Sequence, residues 1–494
     1  MKKLSLVLVT VDCLRADHVG FLGYSRPTTP FLDTLARESI VFPCALVAGA
    51  PTYFSFPGIM AARHPLALGR DIVGISPGEP TLASTLQAQG WTTAGFVAGN
   101  PYLTARFGYD QGFDSYHDYL SPSGGDGKQL ETENNWATRV NVQLEKVSRK
   151  SKLTAAAYQE LYFRYCQCLA SRRTATMESL RPYPAADVLL DQTLSWLRGT
   201  GDKPFFIWLH LMDPHHPYYP PEESLELFGS RMTPRRARFL NSSWNRDVGE
   251  RRLRGHRESI LSLYDAGIRW ADTQLSRLVD TLRQSGRWKD TAFAVTADHG
   301  EEFLEHGRRY HSPVALPDTL IRVPLVLHVP GVRASKLPDL PFSLVDLAPS
   351  LMDALGAVPP STLQGSSCWP QILNNRLPDR PAVTECLDGS LNPGNGDDCL
   401  RHRILAVRQG PYKLVVRFAD SSCALYNLES DPRELSPIPA GEKVEERRRL
   451  LLHAQEHLRK SRAYSGSEFR MRERLRQFRH SLATSAVAVG VGQS

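Results

Sequence analysis

The 494-residue sequence predicts an α/β protein in which helices flank a sheet of buried strands. Two apolar runs, Leu4 to Val11 (LSLVLVTV) and Thr291 to Ala297 (TAFAVTA), carry this prediction. The first run ends at Asp12, and the second ends at Asp298 and His299. Short apolar runs that stop abruptly are typical of buried parallel strands, and ligands of open α/β sheets collect beyond the carboxyl ends of such strands. We therefore expect these three polar residues to lie close together.

Asp12, Asp298 and His299 together offer hard oxygen ligands and one imidazole. A set of this kind suits a divalent cation such as Mg²⁺, Mn²⁺, Ca²⁺ or Zn²⁺. The sequence therefore predicts a metal site at the end of the sheet, and the rest of the chain is expected to fold around it.

Length and composition are those of a large globular protein, with 41% hydrophobic and 22% charged residues. The apolar start of the chain is short and continues into Asp12 without a cleavage site, so we interpret it as a strand rather than a signal peptide. No apolar stretch approaches the ~20 residues needed to span a bilayer. The eight cysteines are scattered without a CxxC pair, which favours reduced thiols. We therefore expect a soluble, cytoplasmic protein.

The net charge of +7 is modest, but nine arginines fall between Arg231 and Arg257. Such a segment could bind a polyanion, a membrane surface or a phosphorylated substrate. The alternative, a solvated helical insertion, is the more common use of a charged run. No specific nucleic-acid partner is predicted, and the sequence does not decide the oligomeric state.

Capping residues and helix-breaking residues predict the first two helices. Pro27 to Ser39 predicts a helix capped by Thr29, with Pro30 at its first position. Pro80 to Gly90 predicts a second helix, and Trp91 to Val97 predicts the strand that follows it.

Thr52 and Ser55 stand where Ala48 to Pro65 enters a helix of small residues. Backbone N–H groups and the helix dipole favour an anion there, so either hydroxyl is a candidate nucleophile. The alternative is that both merely cap the helix. Asn100 follows the strand that ends at Val97 and could donate to an oxyanion, or it could simply form a turn.

Pro204 to Leu211 (PFFIWLHL) predicts another buried strand. Three histidines, His210, His215 and His216, lie within seven residues at its end. In a chain that already has a candidate cation site, this cluster favours anion binding or acid–base work. Tyr264 to Leu282 has the four-and-three spacing of an amphipathic helix, which we interpret as packing only.

The remainder of the chain changes pattern twice. Val323 to Val329 predicts a strand and Leu344 to Leu355 a helix. Short extended segments then predict a small antiparallel sheet within residues 376–440, and residues 441–494 are expected to form a charged helix and a loose tail. Residues 121–183 are expected to be a helical insertion, a lid that faces the substrate.

Several stretches together resemble the sulfatase-like members of the alkaline phosphatase superfamily over nearly the full length. They are LVLVTVDCLRADHVGFLGYSRPTTPFLDTLA, FFIWLHLMDPHHPY, LYDAGIRWADTQLSRLVDTL, VTADHGEEFLEHG with IRVPLVLHVPG, and YKLVVRFADSSCALYNLESDPRE. The resemblance implies a doubly wound mixed sheet flanked by helices, with a smaller C-terminal antiparallel sheet. The catalytic domain would span residues 1–375, with the helical insertion at about 121–183 and the Arg-rich insertion at about 229–259.

The resemblance also implies that the nucleophile joins Asp12, Asp298 and His299 as a metal ligand. Sulfatases carry a C/S-x-P-S-R segment whose first residue is oxidised to formylglycine. When this chain is laid on that segment, Thr52 falls on the nucleophile and Ser55 on the motif serine. Formylglycine cannot form from threonine, so the chain is more similar here to phosphoglycerol and phosphoethanolamine transferases and nucleotide phosphodiesterases. Ser55 remains the second choice of nucleophile.

Two further departures from the family pattern concern single positions. Phe56 falls on the motif arginine, and Cys13 stands where many sulfatases have a second Asp. A second metal would need another Asp-x-x-x-His pair, whereas Asp213 is followed four residues later by Pro217. The resemblance therefore favours one cation.

His311 lies where family members place a Lys or His that assists the leaving group, and His215 where a substrate-binding His lies. His210 and Asn100 are carried over as further substrate contacts. The resemblance thus implies a metal-dependent hydrolase or transferase acting on an anionic phosphate or sulfate ester, with phosphodiester or phosphoryl transfer through Thr52 preferred. The alternatives are a sulfuric ester hydrolase and an inactive family member that binds polyanions.

Overall fold

A computed structural model describes residues 3–67, 74–120, 176–228, 232–246, 249–388 and 402–465. Its strands, in chain order, are β1 (Ser5–Val11), β2 (Ile40–Leu46), β3 (Thr92–Val97), β4 (Ser115–His117), β5 (Phe205–Leu211), β6 (Thr291–Thr296), β7 (Glu302–Phe303), β8 (Arg309–Tyr310), β9 (Arg322–His328), β10 (Ser335–Lys336), β11 (Phe342–Ser343), β12 (Ala382–Leu387), β13 (Arg403–Gln409), β14 (Tyr412–Arg417) and β15 (Ser422–Asn427).

Nine of these strands form one mixed sheet in the order β10-β2-β9-β6-β1-β5-β3-β4, with β11 also paired to β2. Only β9 runs antiparallel to its neighbours, β2 and β6, among the pairs of this sheet in the described residues. All seven residues of β1 are buried, as expected for a central strand covered on both faces. The predicted α/β class with a mixed sheet is therefore confirmed.

The register of the central strands brings the polar residues to one edge. Thr10 on β1 lies opposite His210 on β5 and Thr296 on β6, and all three strands are parallel. The amide of Asp12 then donates to the carbonyl oxygen of Leu211 at 2.8 Å, which continues the ladder past the end of β1. Every polar residue that follows these strands consequently emerges at the same carboxyl edge.

Two groups of helices pack on this sheet. The helices are α1 (Pro30–Ala36), α2 (Thr52–Ala61), α3 (Leu82–Ala88), α4 (Met177–Leu180), α5 (Ala186–Gly199), α6 (Glu222–Glu226), α7 (Pro234–Trp244), α8 (Glu250–Gln284), α9 (Asp318–Ile321), α10 (Leu347–Ala354), α11 (Trp369–Leu373) and α12 (Val444–Ser465). Helix α8 contacts α1 and α5, whereas α10 contacts α2 and α3. The amphipathic pattern predicted only the last half of α8, which has 35 residues and begins within the Arg-rich segment.

The capping of α1 differs from the sequence-based expectation. Thr29 occupies the cap position, but its hydroxyl donates to the side chain of Asp33 at 2.9 Å instead of accepting from the helix. The amides of Phe31 and Leu32 donate to Asp272 on α8, each at 2.9 Å. A buried carboxylate from a distant helix therefore satisfies the amides that the local threonine was expected to satisfy.

The predicted small C-terminal sheet is present as the antiparallel order β12-β13-β14-β15, and α12 packs on β13 and β14. A buried charge links this sheet to α9: Lys413, fully buried, pairs with Asp318 at 2.8 Å and also with Glu434, after β15, at 2.7 Å. The domain boundaries remain predictions. Most of the expected lid (121–175) and the tail after residue 465 lie outside the described residues.

The five cysteines among the described residues are free thiols, namely Cys13, Cys44, Cys368, Cys386 and Cys423. Cys166, Cys168 and Cys399 lie outside the described residues. Within the described part of the chain, no helix is both long enough and apolar enough to cross a bilayer.

Candidate active site

Asp12, Asp298 and His299 meet at the carboxyl edge of the sheet, and all three are fully buried. The Nε2 of His299 lies 3.6 Å from Oδ1 of Asp12 and 3.5 Å from Oδ2 of Asp298. The same nitrogen lies 3.1 Å from the hydroxyl oxygen of Thr52, which is the first residue of α2. The three strand-end residues and the predicted nucleophile thus form one cluster.

The protonation of His299 follows from its second nitrogen. Nδ1 lies 2.8 Å from the carbonyl oxygen of Gly300, which can only accept, so Nδ1 carries the proton. Burial and the neighbouring His311 lower the pKa of His299 to about 3, and the ring is therefore neutral. Nε2 consequently presents a lone pair to Thr52 and the two carboxylates.

These atoms fit a divalent cation. Oδ2 of Asp298 is buried and has no hydrogen-bond partner, while Asp12, Asp298 and His299 each offer one ligand atom within 4.8 Å of the others. Burial and the charge of Asp12 raise the pKa of Asp298 well above its ordinary value. Two buried carboxylates and an imidazole lone pair that face one another need a positive charge between them.

Asp12 is oriented through its other oxygen. Oδ2 accepts from Nδ2 of Asn100 at 3.1 Å and lies 3.4 Å from Nε2 of His210. Nδ1 of His210 in turn contacts the Thr10 hydroxyl at 2.9 Å, and the same hydroxyl accepts from the Trp208 indole at 3.0 Å. Burial acts to raise the pKa of Asp12, but the nearby histidines outweigh it and hold the pKa well below its ordinary value. Asn100 and His210 therefore support an ionised Asp12.

Ser55 is also fully buried, one turn after Thr52. Its hydroxyl donates to the carbonyl oxygen of Thr52 at 3.2 Å, a contact within the first turn of α2. Phe56, at the position of the sulfatase motif arginine, is buried against Trp208 and the edge of His210, with ring centroids 5.4 and 5.2 Å apart. Aromatic side chains thus occupy the position where the sulfatase motif has a charged arginine side chain.

His311 lies on the other side of the cluster, beside two residues that the sequence did not mark as a site. Its Nδ1 is 3.3 Å from Oε1 of Glu301 and 3.5 Å from Sγ of Cys13. The β7–β8 hairpin explains the first contact, because it pairs Glu302 with Tyr310 and so makes Glu301 and His311 the next facing pair. Burial acts to lower the pKa of His311, but Glu301 outweighs it and the net pKa is raised.

Cys13 follows Asp12 directly, and Glu301 follows the Asp-His-Gly stretch. Their closeness in sequence to the predicted metal ligands could therefore have indicated that both lie in the site. The Cys13 thiol lies 3.2 Å from Oδ1 of Asp12, and its carbonyl oxygen accepts from the Tyr264 hydroxyl at 2.7 Å. Burial and the surrounding acids raise the pKa of Cys13 well above its ordinary value, so the thiol is protonated.

His215 completes the cluster, with its ring centroid 5.1 Å from that of His311. Its Nδ1 contacts the carbonyl oxygen of His216, and burial lowers its pKa. A neutral His215 therefore carries the proton on Nδ1 and a lone pair on Nε2.

Comparison with known proteins agrees with this fold. The sulfatase family model matches residues 5–357, and the model of the C-terminal region of N-sulphoglucosamine sulphohydrolase matches residues 309–462. An arylsulfatase of Clostridium perfringens is 23% identical over 90% of this chain and 92% of its own length. A multifunctional alkaline phosphatase superfamily protein of Trinickia caryophylli, PehA, is 20% identical over 89% of this chain and 91% of its own length. Rat arylsulfatase K is 25% identical, but the match covers 50% of this chain and 48% of that enzyme.

Solved structures show the same fold at low identity. A protein in complex with its substrate D-glucosamine-2-N,6-O-disulfate has a TM-score of 0.68 at 17% identity, with 94% of this chain and 99% of that chain covered. The phosphonate monoester hydrolase of Agrobacterium radiobacter has a TM-score of 0.62 at 19% identity, with 94% of this chain and 96% of that chain covered.

The family match and the arylsulfatase relatives show a hydrolase that acts on ester bonds, a sulfatase-like member of the alkaline phosphatase superfamily. The chain belongs to the sulfatase family, whose model spans well over half of it. Members of this family generally bind a divalent metal, and the Asp12, Asp298 and His299 cluster offers suitable ligands for one.

Proposed function

We propose that this protein is a metal-dependent hydrolase of phosphate esters in which the unmodified Thr52 hydroxyl attacks phosphorus. The contact that carries the proposal is the 3.1 Å approach of Thr52 Oγ1 to the unprotonated Nε2 of His299. Asp12, Asp298, His299 and Thr52 would hold one divalent cation. When bound, the cation would lower the pKa of the hydroxyl and offset negative charge on the transferring group.

Without a cation the Thr52 hydroxyl contacts Nε2 of His299, and its hydrogen bond to Asp298 offsets part of the rise in the pKa of that carboxyl. A bound cation would occupy Nε2, so the carboxylate of Asp298 would receive the hydroxyl proton as Oγ1 attacks. Thr52 is also the first residue of α2, where the positive end of the helix dipole favours an anion.

His311 is the proposed general acid. Its Nδ1 is occupied by Glu301, so Nε2 is the nitrogen that can protonate the departing oxygen. Glu301 keeps the ring protonated to a higher pH than a buried imidazole would otherwise be. Proton transfer of this kind contributes typically 10²–10⁴ in rate. Water would then attack the Thr52 ester and release the product, and an acceptor hydroxyl in place of water would make the same site a transferase.

Asn100 and His215 are proposed to contact the remaining ester oxygens. One Nδ2 hydrogen of Asn100 is used by Asp12, which leaves the second for an oxygen of the substrate. Neutral His215 would contact the ester through Nε2, which can accept a hydrogen bond from a protonated phosphate oxygen. His210 lies behind Asp12 and acts on the substrate through that carboxylate.

A sulfate ester is the second candidate substrate, supported by the sulfatase family match and by the arylsulfatase relatives. Phosphate is preferred because of the residue at position 52. A formylglycine hydrate has a second hydroxyl and can expel its ester group by collapsing to an aldehyde. Threonine has no such hydroxyl, so its ester must be opened by attack of water at phosphorus or sulfur.

The test is a panel of 4-nitrophenyl esters that differ only in the transferred group, namely a sulfate, a phosphate monoester and a methyl phosphodiester. We expect the highest kcat/KM on a phosphate ester, and an acid-quenched reaction should yield a Thr52 peptide that carries the transferred group. A labelled Ser55 peptide, or equal turnover by the Thr52→Ala chain, would contradict the proposal. Highest turnover of the sulfate with label on Thr52 would favour the second candidate.

A further inference from the structure

A second group of metal-binding side chains lies away from the active site, where three distant parts of the chain meet. His64 follows the end of α2, Glu385 belongs to β12 and His457 belongs to α12. One ligand atom of each lies within 4.8 Å of the other two. Nε2 of His457 is 2.9 Å from Oε2 of Glu385, and the rings of His64 and His457 are 4.5 Å apart.

Two imidazoles and a carboxylate are a ligand set of Zn²⁺, which binds nitrogen and oxygen at about 2.0–2.2 Å. Ligand atoms at those lengths in a tetrahedron are about 3.4 Å apart. The side chains of this cluster therefore need only small movements to surround a cation.

Glu385 is fully buried and held in place. Its Oε2 accepts from Arg403 at 2.6 and 3.1 Å, and its Oε1 accepts from the amide of Leu66 at 3.0 Å. Outer contacts of this kind orient the ligands of metal sites. The ion pair with Arg403 could also hold His457 without any metal, but that network uses no nitrogen of His64.

His64 is the residue that the ion-pair network leaves unexplained. Its Nδ1 is buried without a hydrogen-bond partner. Burial and His457 lower the pKa of His64 to about 3, so the ring is neutral, the form that binds metals. His64 has an unpaired ring nitrogen, and one of its ring nitrogens lies within 4.8 Å of ligand atoms of Glu385 and His457. This combination fits a ligand better than it fits a packing residue.

Solvent can reach the cluster through a cavity of about 550 Å³ lined by His64, His453 and His457. His453 precedes His457 by four residues on α12, so the two rings share one face of the helix. Pairs of histidines at this spacing on a helix are a recurrent zinc-binding arrangement. His453 can therefore supply a fourth ligand from the open side.

We propose that His64, Glu385 and His457, with His453 as the fourth ligand, form a zinc site that fastens α12 to the catalytic core. The site is separate from the proposed chemistry at Thr52 and would act on stability. Its position links it to α2, because His64 follows the end of that helix and the amide of Glu385 donates to the carbonyl oxygen of Ala48, four residues before Thr52, at 2.9 Å.

The test uses the full chain, stripped with a chelator and dialysed against Zn²⁺ alone, with bound zinc measured by mass spectrometry of the metal. The chains compared are the wild type, His64→Gln, His457→Gln and the control His402→Gln, an exposed histidine elsewhere. We expect each ligand variant to bind one equivalent less than the wild type and the control. Zinc should raise the Tm of the wild type by roughly 3–5 °C more than that of the ligand variants.

Equal zinc binding by all four chains, or an equal zinc-induced rise in Tm, would overturn the proposal. A folding defect is controlled for by the cobalt(II) form of Asp298→Asn, which lacks a ligand of the proposed active-site cation and keeps this cluster. It should still show the strong visible bands of a tetrahedral site, which a hydrogen-bonded network cannot produce. Ester hydrolysis by the ligand variants separates the two proposals. Loss of one zinc equivalent with retained turnover supports this site, whatever the outcome at Thr52.

Discussion

The hydroxyl oxygen of Thr52 lies 3.1 Å from Nε2 of His299, the ring nitrogen that carries no proton. The contact joins the start of α2 to the residue after Asp298, 247 positions apart in the sequence. It orients the threonine oxygen beside two buried carboxylates and gives the proposed nucleophile its geometry.

Replacement of Thr52 by Ala should abolish covalent catalysis. We expect kcat/KM on the best aryl ester to fall by at least roughly 10³-fold, because the attacking oxygen is removed while the other groups remain. Thr52→Ser, which keeps the hydroxyl, should retain measurable turnover. Steady-state kinetics with matched circular dichroism spectra provide the measurement.

Ser55→Ala is the matched control for Thr52. The Ser55 hydroxyl donates to the Thr52 carbonyl oxygen, so its loss removes one hydrogen bond within a helical turn. We expect a stability loss of about 1 kcal/mol and a change in kcat of less than about tenfold. A collapse of kcat in Ser55→Ala with near-normal turnover in Thr52→Ala would assign the nucleophile to Ser55 instead.

Two esters whose leaving groups differ in their need for a proton can test whether His311 acts as a general acid. His311→Ala should lower kcat by about 10²–10⁴ for a phenyl ester, whose departing oxygen needs a proton. The loss should be much smaller for a 4-nitrophenyl ester, which leaves as a stable anion. A loss that is equal for both esters would show that His311 acts other than as a general acid.

Glu301 should set the alkaline limit of activity. The pKa of His311 is raised above its ordinary value because Glu301 outweighs the effect of burial, so the acid stays protonated to higher pH. Activity is then present below the raised pKa and is lost as pH rises through it. Glu301→Gln removes the negative charge, and the alkaline limb of the kcat profile should move to lower pH. An unchanged profile would remove Glu301 from this role.

Asp298→Asn should have opposite effects on stability and activity. Burial and Asp12 raise the pKa of Asp298, so the protein freed of metal loses stability as pH rises above the pKa of the unfolded carboxyl. The variant should therefore gain unfolding free energy at pH 7 in chelator, because the amide carries no charge for Asp12 to repel.

With divalent metal present, the same variant should lose both metal-induced stabilisation and turnover. Urea unfolding with and without chelator measures the two stabilities, and wild-type activity should fall in chelator and return with added metal. A variant that is less stable than the wild type in chelator would contradict the proposed repulsion between Asp12 and Asp298.

The sequence predicted the elements that frame the active site because their signals are local. An apolar run that ends in a charged residue marks Asp12 at the end of β1 and Asp298 beyond β6, and parallel strands end at a common edge. The observed bounds of β1, β3, β5, β6 and β9 differ from the predicted ones by one residue at one or both ends. Thr29 occupies the predicted cap position of α1, but the carboxylate of Asp272, far along the chain, accepts from the helix amides in its place.

Taken alone, the sequence determined the α/β class, the family resemblance and the set of strand-end ligands, because hydrophobic periodicity and motif spacing are local properties of the sequence. Only the tertiary structure decided which atoms meet: the proton on Nδ1 of His299, the pairing of Glu301 with His311, and the approach of His64 to His457. Each of these depends on side-chain direction and burial, which arise when remote segments pack together and exclude water.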